Sequence, residues 1–407
     1  MSGRMPMAKD REACSSSTLQ EVGEIVTGST PPKAQTHLYG GSFPLVKPGE
    51  LLNCVVSTAD DKLTDAGATV ADVAPEGSVL VSCIGNLGKV GLAARPVAFN
   101  QQINAIIPHD KSSSRWLFYA VQAPSFRAQL NSVASATTIS IVNKGKFSKL
   151  RIPWAPADEQ QRIVAEIEKQ FTRLDAGVAS LKRVQTALKR YRASVLKAAC
   201  EGEWESATLG SLSLQSSYGT SVKCSYQSPG IPVLRIPNIQ NGRIDLTDLK
   251  FSTSAVDLDD ENTLKPNDFL IVRTNGSKDL IGRGAVVLSE FNRPHFFASY
   301  LIRFRIRDRD TAKWLSTVWN SENLRKQILA IAATSAGQYN VNQTNLSKVP
   351  IPMPPVEQRM RIVAEVERRL SVIKELEAVT STELQRSHRL RQSILNRAFT
   401  ERTFGYR

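Results

Sequence analysis

The chain has 407 residues, a formal net charge of +14 and 41% hydrophobic residues, enough apolar material for two or three folded domains. Five scattered cysteines, Cys14, Cys54, Cys83, Cys200 and Cys224, form no C-x-x-C pair, which argues against a disulfide framework or a zinc site and fits a reducing compartment. No apolar run approaches the roughly 18 residues of a membrane span and residues 1–18 lack the apolar segment of a signal peptide, so the expected location is the cytoplasm.

Residues 1–18 are rich in charge and serine and read as disordered, with Thr18 or Leu19 opening the first globular part. From 19 to 151 short apolar runs alternate with Gly, Pro, Asn and Asp. Ser78–Gly85, Lys89–Phe99 and Ile103–Pro108 read as strands, and Ser114–Leu130 as a helix broken near Pro124. Residues 152–203 form a helical segment. Residues 204–350 repeat the first style, with strands expected at Ile231–Ile239, Asp268–Thr274, Gly284–Glu290 and Ser299–Ile306 and a helical stretch at Thr311–Ala333. Residues 351–407 are a second helical segment. The positive charge follows no single part, at +3, +3, +4 and +4 over 1–150, 151–203, 204–350 and 351–407. That distribution suits a surface lying along a polyanion, and equally an ordinary basic cytosolic protein.

The two helical segments are copies. IPWAPADEQQRIVAEIE, from Ile152, and IPMPPVEQRMRIVAEVE, from Ile351, are identical at nine of seventeen positions at an offset of 199 residues. Upstream, Val142–Asn143 and Ser148–Lys149 match Val341–Asn342 and Ser347–Lys348 in the same register; Trp116 and Trp314 lie 198 apart. A period near 200 is far too long for a solenoid, so one domain plus one long helix is used twice. In the first copy Ile163, Ile167, Phe171, Leu174, Val178, Leu181, Leu188, Tyr191 and Val195 step by threes and fours, apart from the gap to Leu188. This is the narrow stripe of a coiled-coil face on a helix of about forty residues. In the second copy Ile362, Val366, Leu370 and Ile373 keep the register, after which the stripe drifts through Leu376, Val379 and Leu384 to Leu390 and Ile394. The prolines of IPWAP and IPMPP mark the helix starts. Such a stripe needs a partner. The other copy in the same chain, paired antiparallel, is favoured over a helix of a second molecule. The fold expected is mixed α/β: two similar globular domains separated by two long helices pairing as an antiparallel coiled coil.

No catalytic constellation is present. The sequence has no P-loop, no G-x-S-x-G elbow and no H-E-x-x-H pair, and His37, His109, His295 and His388 are isolated. A binding protein is therefore favoured over an enzyme.

A proline-rich lead, Arg-Ile-Val and a long helix, occurring twice with a variable domain before each, resemble the DNA-specificity subunit of type I restriction–modification systems. VGEIVTGSTP (Val22–Pro31) and LGSL…YGTS with VLRIPNIQNGRID (Leu209–Asp245) resemble the openings of that family's target-recognition domains. The resemblance implies a non-catalytic protein that binds double-stranded DNA. Each recognition domain would read half of a split, asymmetric site, and the helices would set the spacer. It also implies two methyltransferase subunits as partners, which use S-adenosylmethionine, and restriction–translocase subunits that join them. It implies no cofactor or metal in this chain and no membrane. The first lead departs from the family pattern at Ala155 and at Ala157–Asp158. A coiled-coil scaffold with two protein-binding ends, or a fragment of a fused enzyme, are the alternative readings.

Base edges are read by Arg, Lys, Asn and Gln on loops. In the first domain the candidates are Lys33, Asn86, Lys89, Arg95, Gln101, Gln102, Thr137, Thr138 and Lys144. In the second they are Asn238, Gln240, Asn241, Arg243, Arg273, Asn275, Ser277, Lys278, Arg283, Gln338, Tyr339 and Asn340. For any one of them a solvated loop or turn residue is the favoured reading. Arg303, Arg305, Arg307 and Arg309 alternate at strand spacing, which makes one face basic: either a phosphate contact or the wet side of a sheet.

Overall fold

The computed structural model describes residues 15–135, 139–240, 242–254, 263–335 and 338–400. It divides into two compact units, Met1–Leu181 with Thr382–Arg407, and Lys182–Ser381. Each takes in one α/β body and parts of both long helices.

In the first unit, Gly23–Thr27, Ile103–Pro108, Val79–Ser82, Val90–Ala93 and Cys54–Val56 form a five-stranded sheet in that order. A four-stranded sheet runs Lys62–Leu63, Tyr39–Val46, Val97–Phe99, Val73–Ala74. The run Lys89–Phe99, expected as one strand, is thus two strands in two sheets. Pro96 has no N–H to give a ladder, so the chain breaks there and changes sheet. Helices Ser114–Ala120 and Pro124–Ser132 follow, with Pro124 opening the second as its backbone chemistry favours.

The second unit repeats this plan. Its main sheet runs Ser213–Tyr218, Leu301–Ile306, Asp268–Val272, Gly284–Val286; a smaller one runs Cys224–Ser225, Lys250–Ser252, Pro232–Leu234, Phe296–Phe297. In both units the second sheet contains one parallel pairing at the equivalent place, Leu45 beside Ala98 and Val233 beside Phe296. The expected strand Ile231–Ile239 is shorter, because Pro237 and Asn238 turn it into a single 3-10 turn. The expected helix Thr311–Ala333 is two helices, Arg309–Val318 and Glu322–Ala330. The break falls at Asn320–Ser321, residue types whose side chains compete with helix backbone bonds.

Ser15–Thr18, expected to be disordered, pairs antiparallel with Arg151–Trp154. The second unit makes the same pairing with Ser206–Thr208 on Pro350–Pro352. Each proline-rich lead-in is therefore an edge strand, where the missing N–H of proline costs little. Residues 1–14 lie outside the described residues.

The two long helices span Ala157–Ala198, 42 residues, and Val356–Thr400, 45 residues. In the first unit the start of one and the end of the other share a core: Ile163, Ile167 and Phe171 cluster with Leu395, Ala398 and Phe399. Phe399 packs edge-on against Trp116 at 4.9 Å, and Trp116 donates to the Pro153 carbonyl just before the first long helix. Farther along, Arg391 stacks over Phe171 at 3.9 Å and pairs with Asp175 at 2.7 Å. The segments run antiparallel. In the second unit Val195 and Ala199 cluster with Val366, with Ile362 and Leu370 beside them.

Leu188 and Val195 lie on the buried side, but Tyr191 is 47% exposed, so from Leu188 the seam steps by four rather than three. On the second helix Leu376, Val379 and Leu390 also face outward. The buried positions continue instead at Ile373 and Thr380, and Arg391 is partly covered. The apolar stripe drifts where the seam does not: threonine and arginine occupy it in place of leucine.

Candidate functional site

Each unit builds one loop cluster on the same frame. The first strand of each main sheet ends at a glycine, Gly28 or Gly219, where a Cβ would collide with carbonyl oxygens of the second sheet, those of Phe99 and Asn100 or of Phe297 and Ala298. In the first unit the Cys83 N–H donates to the Gln102 carbonyl at 2.7 Å and the Val142 N–H to the Cys83 carbonyl at 2.9 Å. In the second the Arg273 N–H donates to the Tyr300 carbonyl at 2.9 Å and the Val341 N–H to the Arg273 carbonyl at 2.8 Å. Loops leave these anchors and return at a glycine with positive φ, Gly88 at +74° and Gly282 at +66°. A guanidinium from the second helix of each helical pair clasps the return: Arg127 donates to the Gly88 carbonyl, and Arg325 to that of Ile281. Cys83–Gly88 is six residues long and Arg273–Gly282 is ten, so the frame is shared and the loop is not.

In the second unit this loop pairs with a hairpin from farther along the chain. Thr274–Asn275, Gln338–Asn340 and Ala333–Ser335 form a three-stranded sheet in that order. Eight of the sequence candidates therefore meet: Arg273, Asn275, Ser277, Lys278, Arg283, Gln338, Tyr339 and Asn340. Lys278 lies 5.5 Å over the Tyr339 ring, and Arg273 lies 4.6 Å over Tyr218. The Asn275 side chain accepts from the Ser277 N–H, closing a tight turn, and Arg283 donates to the Asp279 carbonyl at 2.7 Å. Gln240 and Arg243 are exposed on a hairpin that touches Ala285 through Gly242.

In the first unit Asn86 and Lys89 lie on the corresponding loop, and Gln101 and Gln102 join it through the Cys83 anchor. Thr30 donates to Gln101 at 3.0 Å. Lys144 opens a short helix two residues after Val142. The other two described first-unit candidates stand apart. Arg95 lies in the turn at the far end of the Val79–Ser82 and Val90–Ala93 hairpin, and Lys33 lines a separate cleft with Tyr39, Asp60 and Asp61. Thr137, Thr138 and Asn241 lie outside the described residues.

Asn238 and the first half of the arginine row are buried or nearly so, contrary to the sequence expectation. Asn238 is fully buried: its amide accepts from the Arg235 N–H and donates to the Asp245 and Asp248 carbonyls at 2.8 and 2.9 Å. It organises a turn and presents nothing at the surface. Arg303 is 1% exposed, lies over Phe297, and faces the fully buried Asp268 carboxylate, to which Arg305 donates at 2.8 and 3.1 Å. A buried carboxylate requires such compensation, so at Arg303 and Arg305 the face is committed to Asp268 rather than open to phosphate, while Arg307 and Arg309 are exposed. Arg307 donates to the Ser211 carbonyl and Arg309 begins a helix.

Sequence reasoning missed Tyr218, which closes the first strand of the second unit. It also missed Tyr226, 60% exposed, with Lys250 at 4.7 Å and Arg235 at 5.9 Å from its ring. An aromatic directly before the YGTS glycine is the one local signal for Tyr218; nothing local marks Tyr226. Burial pushes the Cys83 thiol up to about 12, which makes it a packing residue rather than a nucleophile. Among the described residues no group of three His, Cys, Asp or Glu side chains is arranged to hold a metal ion, and no helix is long and apolar enough to cross a membrane.

The family model of the type I restriction modification DNA specificity domain matches residues 12–186 and again 201–386. The chain belongs to the type I restriction–modification specificity family. It is a specificity subunit with two recognition domains, and specificity subunits are the non-catalytic members of their complexes. Among its relatives is the StySPI specificity subunit of Salmonella potsdam, 25% identical over 421 residues, covering 98% of this chain and 89% of the relative. The EcoKI specificity subunit of Escherichia coli K12 is 22% identical over 93% of this chain and 86% of its own length. A chain from a structural study of complex assembly and conformational transition in the type I R-M system shares the fold. Its TM-score is 0.73 at 18% identity, over 95% of this chain and 97% of the other.

Proposed function

We propose that each loop cluster of this specificity subunit reads one half of a split, asymmetric duplex site. The observation that carries this reading is the shared frame with divergent loops: a common scaffold delivers two chemically different edges. The base-reading candidates are, in the second unit, Asn275, Ser277, Lys278, Arg283, Gln338, Tyr339 and Asn340 with Gln240 and Arg243. In the first they are Asn86, Lys89, Gln101, Gln102 and Lys144. The long helices set the number of unread base pairs between the halves. A 42-residue helix is about 63 Å long, longer than the roughly 34–36 Å between half-sites one turn apart.

The same helices dock two methyltransferase subunits. These bring S-adenosylmethionine and flip the target adenine out of the stack, and restriction–translocase subunits join that core. Exposed Val372, Leu376 and Val379 on the second helix support a docking role, since apolar side chains clustered on an outer face mark interaction surfaces. The site of action is the cytoplasm. Selection from random duplexes, using the full chain with its methyltransferase partner, tests the reading. Two fixed half-sites around a spacer of constant length are expected. Salt-sensitive binding without base preference would refute it.

A further inference from the structure

Arg273 differs from most arginines placed around the second loop cluster, and from the exposed Arg243 in being held on a ring. Arg325 spends its terminal nitrogens on loop carbonyls, Arg303 and Arg305 face Asp268, Arg235 pairs with Asp248, and Arg283 gives its Nε–H to the Asp279 carbonyl without a ring beneath it. Arg273 packs its guanidinium 4.6 Å over the Tyr218 ring with Nε buried and unpaired, and among the described residues neither terminal nitrogen has a hydrogen-bond or ion-pair partner. Tyr218 is itself held at the surface. It is 43% exposed, its hydroxyl accepts from the Gln343 N–H at 3.4 Å, and the Gln343 side chain donates to the Ser216 carbonyl at 3.1 Å. The Arg273 backbone is fixed on both sides by the two anchor bonds of the loop frame. A planar fork held in this way has lost its conformational freedom before it meets a ligand and lacks only a planar pair of acceptors.

We propose that Arg273 is a specificity-determining residue that reads a guanine, through O6 and N7 in the major groove, in the half-site of the second unit, with Tyr218 as its positioning residue. The assignment rests on the proposed reading of the loop clusters as base-reading edges. It also accounts for an asymmetry between the two halves. At the equivalent anchor the first unit carries Cys83, and at the equivalent strand end Thr27, which donates to Asn104 at 2.7 Å. Cys83 is 2% exposed and offers no fork. The first half-site has no guanine contact from this place in the frame. A phosphate, which a guanidinium also takes bidentately, is the competing ligand, and the two are told apart by base preference and salt dependence.

The test is base selection by the full chain with its methyltransferase partner, comparing wild type with Arg273→Ala, Arg273→Lys, Tyr218→Ala and Tyr218→Phe, each checked by thermal unfolding. The wild type is expected to fix one guanine in the half-site read by the second unit. Arg273→Ala and Arg273→Lys are expected to lose about tenfold or more of that preference while the other half-site is unchanged. Tyr218→Phe keeps the ring and the preference, and Tyr218→Ala weakens it. If Arg273→Ala unfolds, Arg273→Lys carries the comparison alone. The assignment is overturned if that half-site fixes no guanine, or if Arg273→Lys retains the preference. It is equally overturned if Arg273→Ala weakens all sequences alike with a shallower salt dependence, as a phosphate contact would. A wild type that selects no split motif sinks the functional reading and this assignment together; a split motif unaffected by either Arg273 variant sinks the assignment alone.

Discussion

An asparagine side chain taken wholly out of water must find protein partners, and Asn238 finds three: the Arg235 N–H and the carbonyls of Asp245 and Asp248. Asn238→Ala leaves the Arg235 N–H and the Asp245 carbonyl without this partner, while Asp248 keeps the Arg235 guanidinium, which costs about 1–3 kcal/mol. A lower urea midpoint at unchanged slope checks this. Unaltered stability would mean that water replaces the amide. The arginines around the sheet teach the same lesson, because charge type does not reveal whether a guanidinium faces solvent, a carboxylate or a ring. Arg303 and Arg273 come from neighbouring strands of one unit, yet one closes over a buried aspartate and the other lies on an exposed tyrosine. The difference is made by Asp268 and Tyr218, residues 35 and 55 positions away in sequence.

The long helices show how much of an element its periodicity conveys. Their existence, their starts after proline-rich leads and their antiparallel packing within each unit all follow from the repeated stripe. The course of the seam past Ile373 does not, because packing follows helix geometry whatever side chains occupy it. Thr380 and Arg391 take positions that a hydrophobic pattern assigns to neighbouring leucines and valine. The end of the second helix completes the first unit's core through Phe399 on Trp116. Phe399→Ala removes a buried ring and is expected to destabilise the first unit by about 3–5 kcal/mol. Hydrogen exchange checks it, with faster exchange in the Ile103–Pro108 strand and little change in Asp268–Val272. Inserting four residues between Phe171 and Leu188, about one helical turn, is expected to change the spacer length while leaving both half-sites intact. Altered bases in a half-site would show that the helices do more than separate.

For the molecule as a whole, duplication with divergence is the governing fact. Both units keep the tryptophan donating to the lead-in carbonyl, at 3.0 and 2.7 Å, the glycine that ends the first strand, the anchored loop and the arginine clasp. They differ in what the loops carry. Division of labour follows: Arg243→Ala and Arg283→Ala are expected to relax base preference by about 1–3 kcal/mol per lost contact in one half-site only. Duplex selection on each variant checks it, and a change in the other half-site would contradict the independence of the two units.

The sequence by itself determined the duplication, the mixed α/β character and the two long helices, since each is written in local spacing or self-similarity, and its repeated lead-ins carry the resemblance to the family. It also pointed to the polar loops, because Gly, Asn and Gln mark turns wherever they cluster. Only the tertiary structure decided which of those polar residues share a surface. Loop Arg273–Gly282 meets the hairpin around Gln338–Asn340 through strand pairing between segments more than fifty residues apart. No local pattern encodes such a pairing; it is held where the Val341 N–H, next to the hairpin, donates to the Arg273 carbonyl at the start of the loop. Burial likewise took Asn238 into a local turn with Arg235, Asp245 and Asp248, and set Arg303 and Arg305 on the distant Asp268, because a side chain's availability is set by what packs over it.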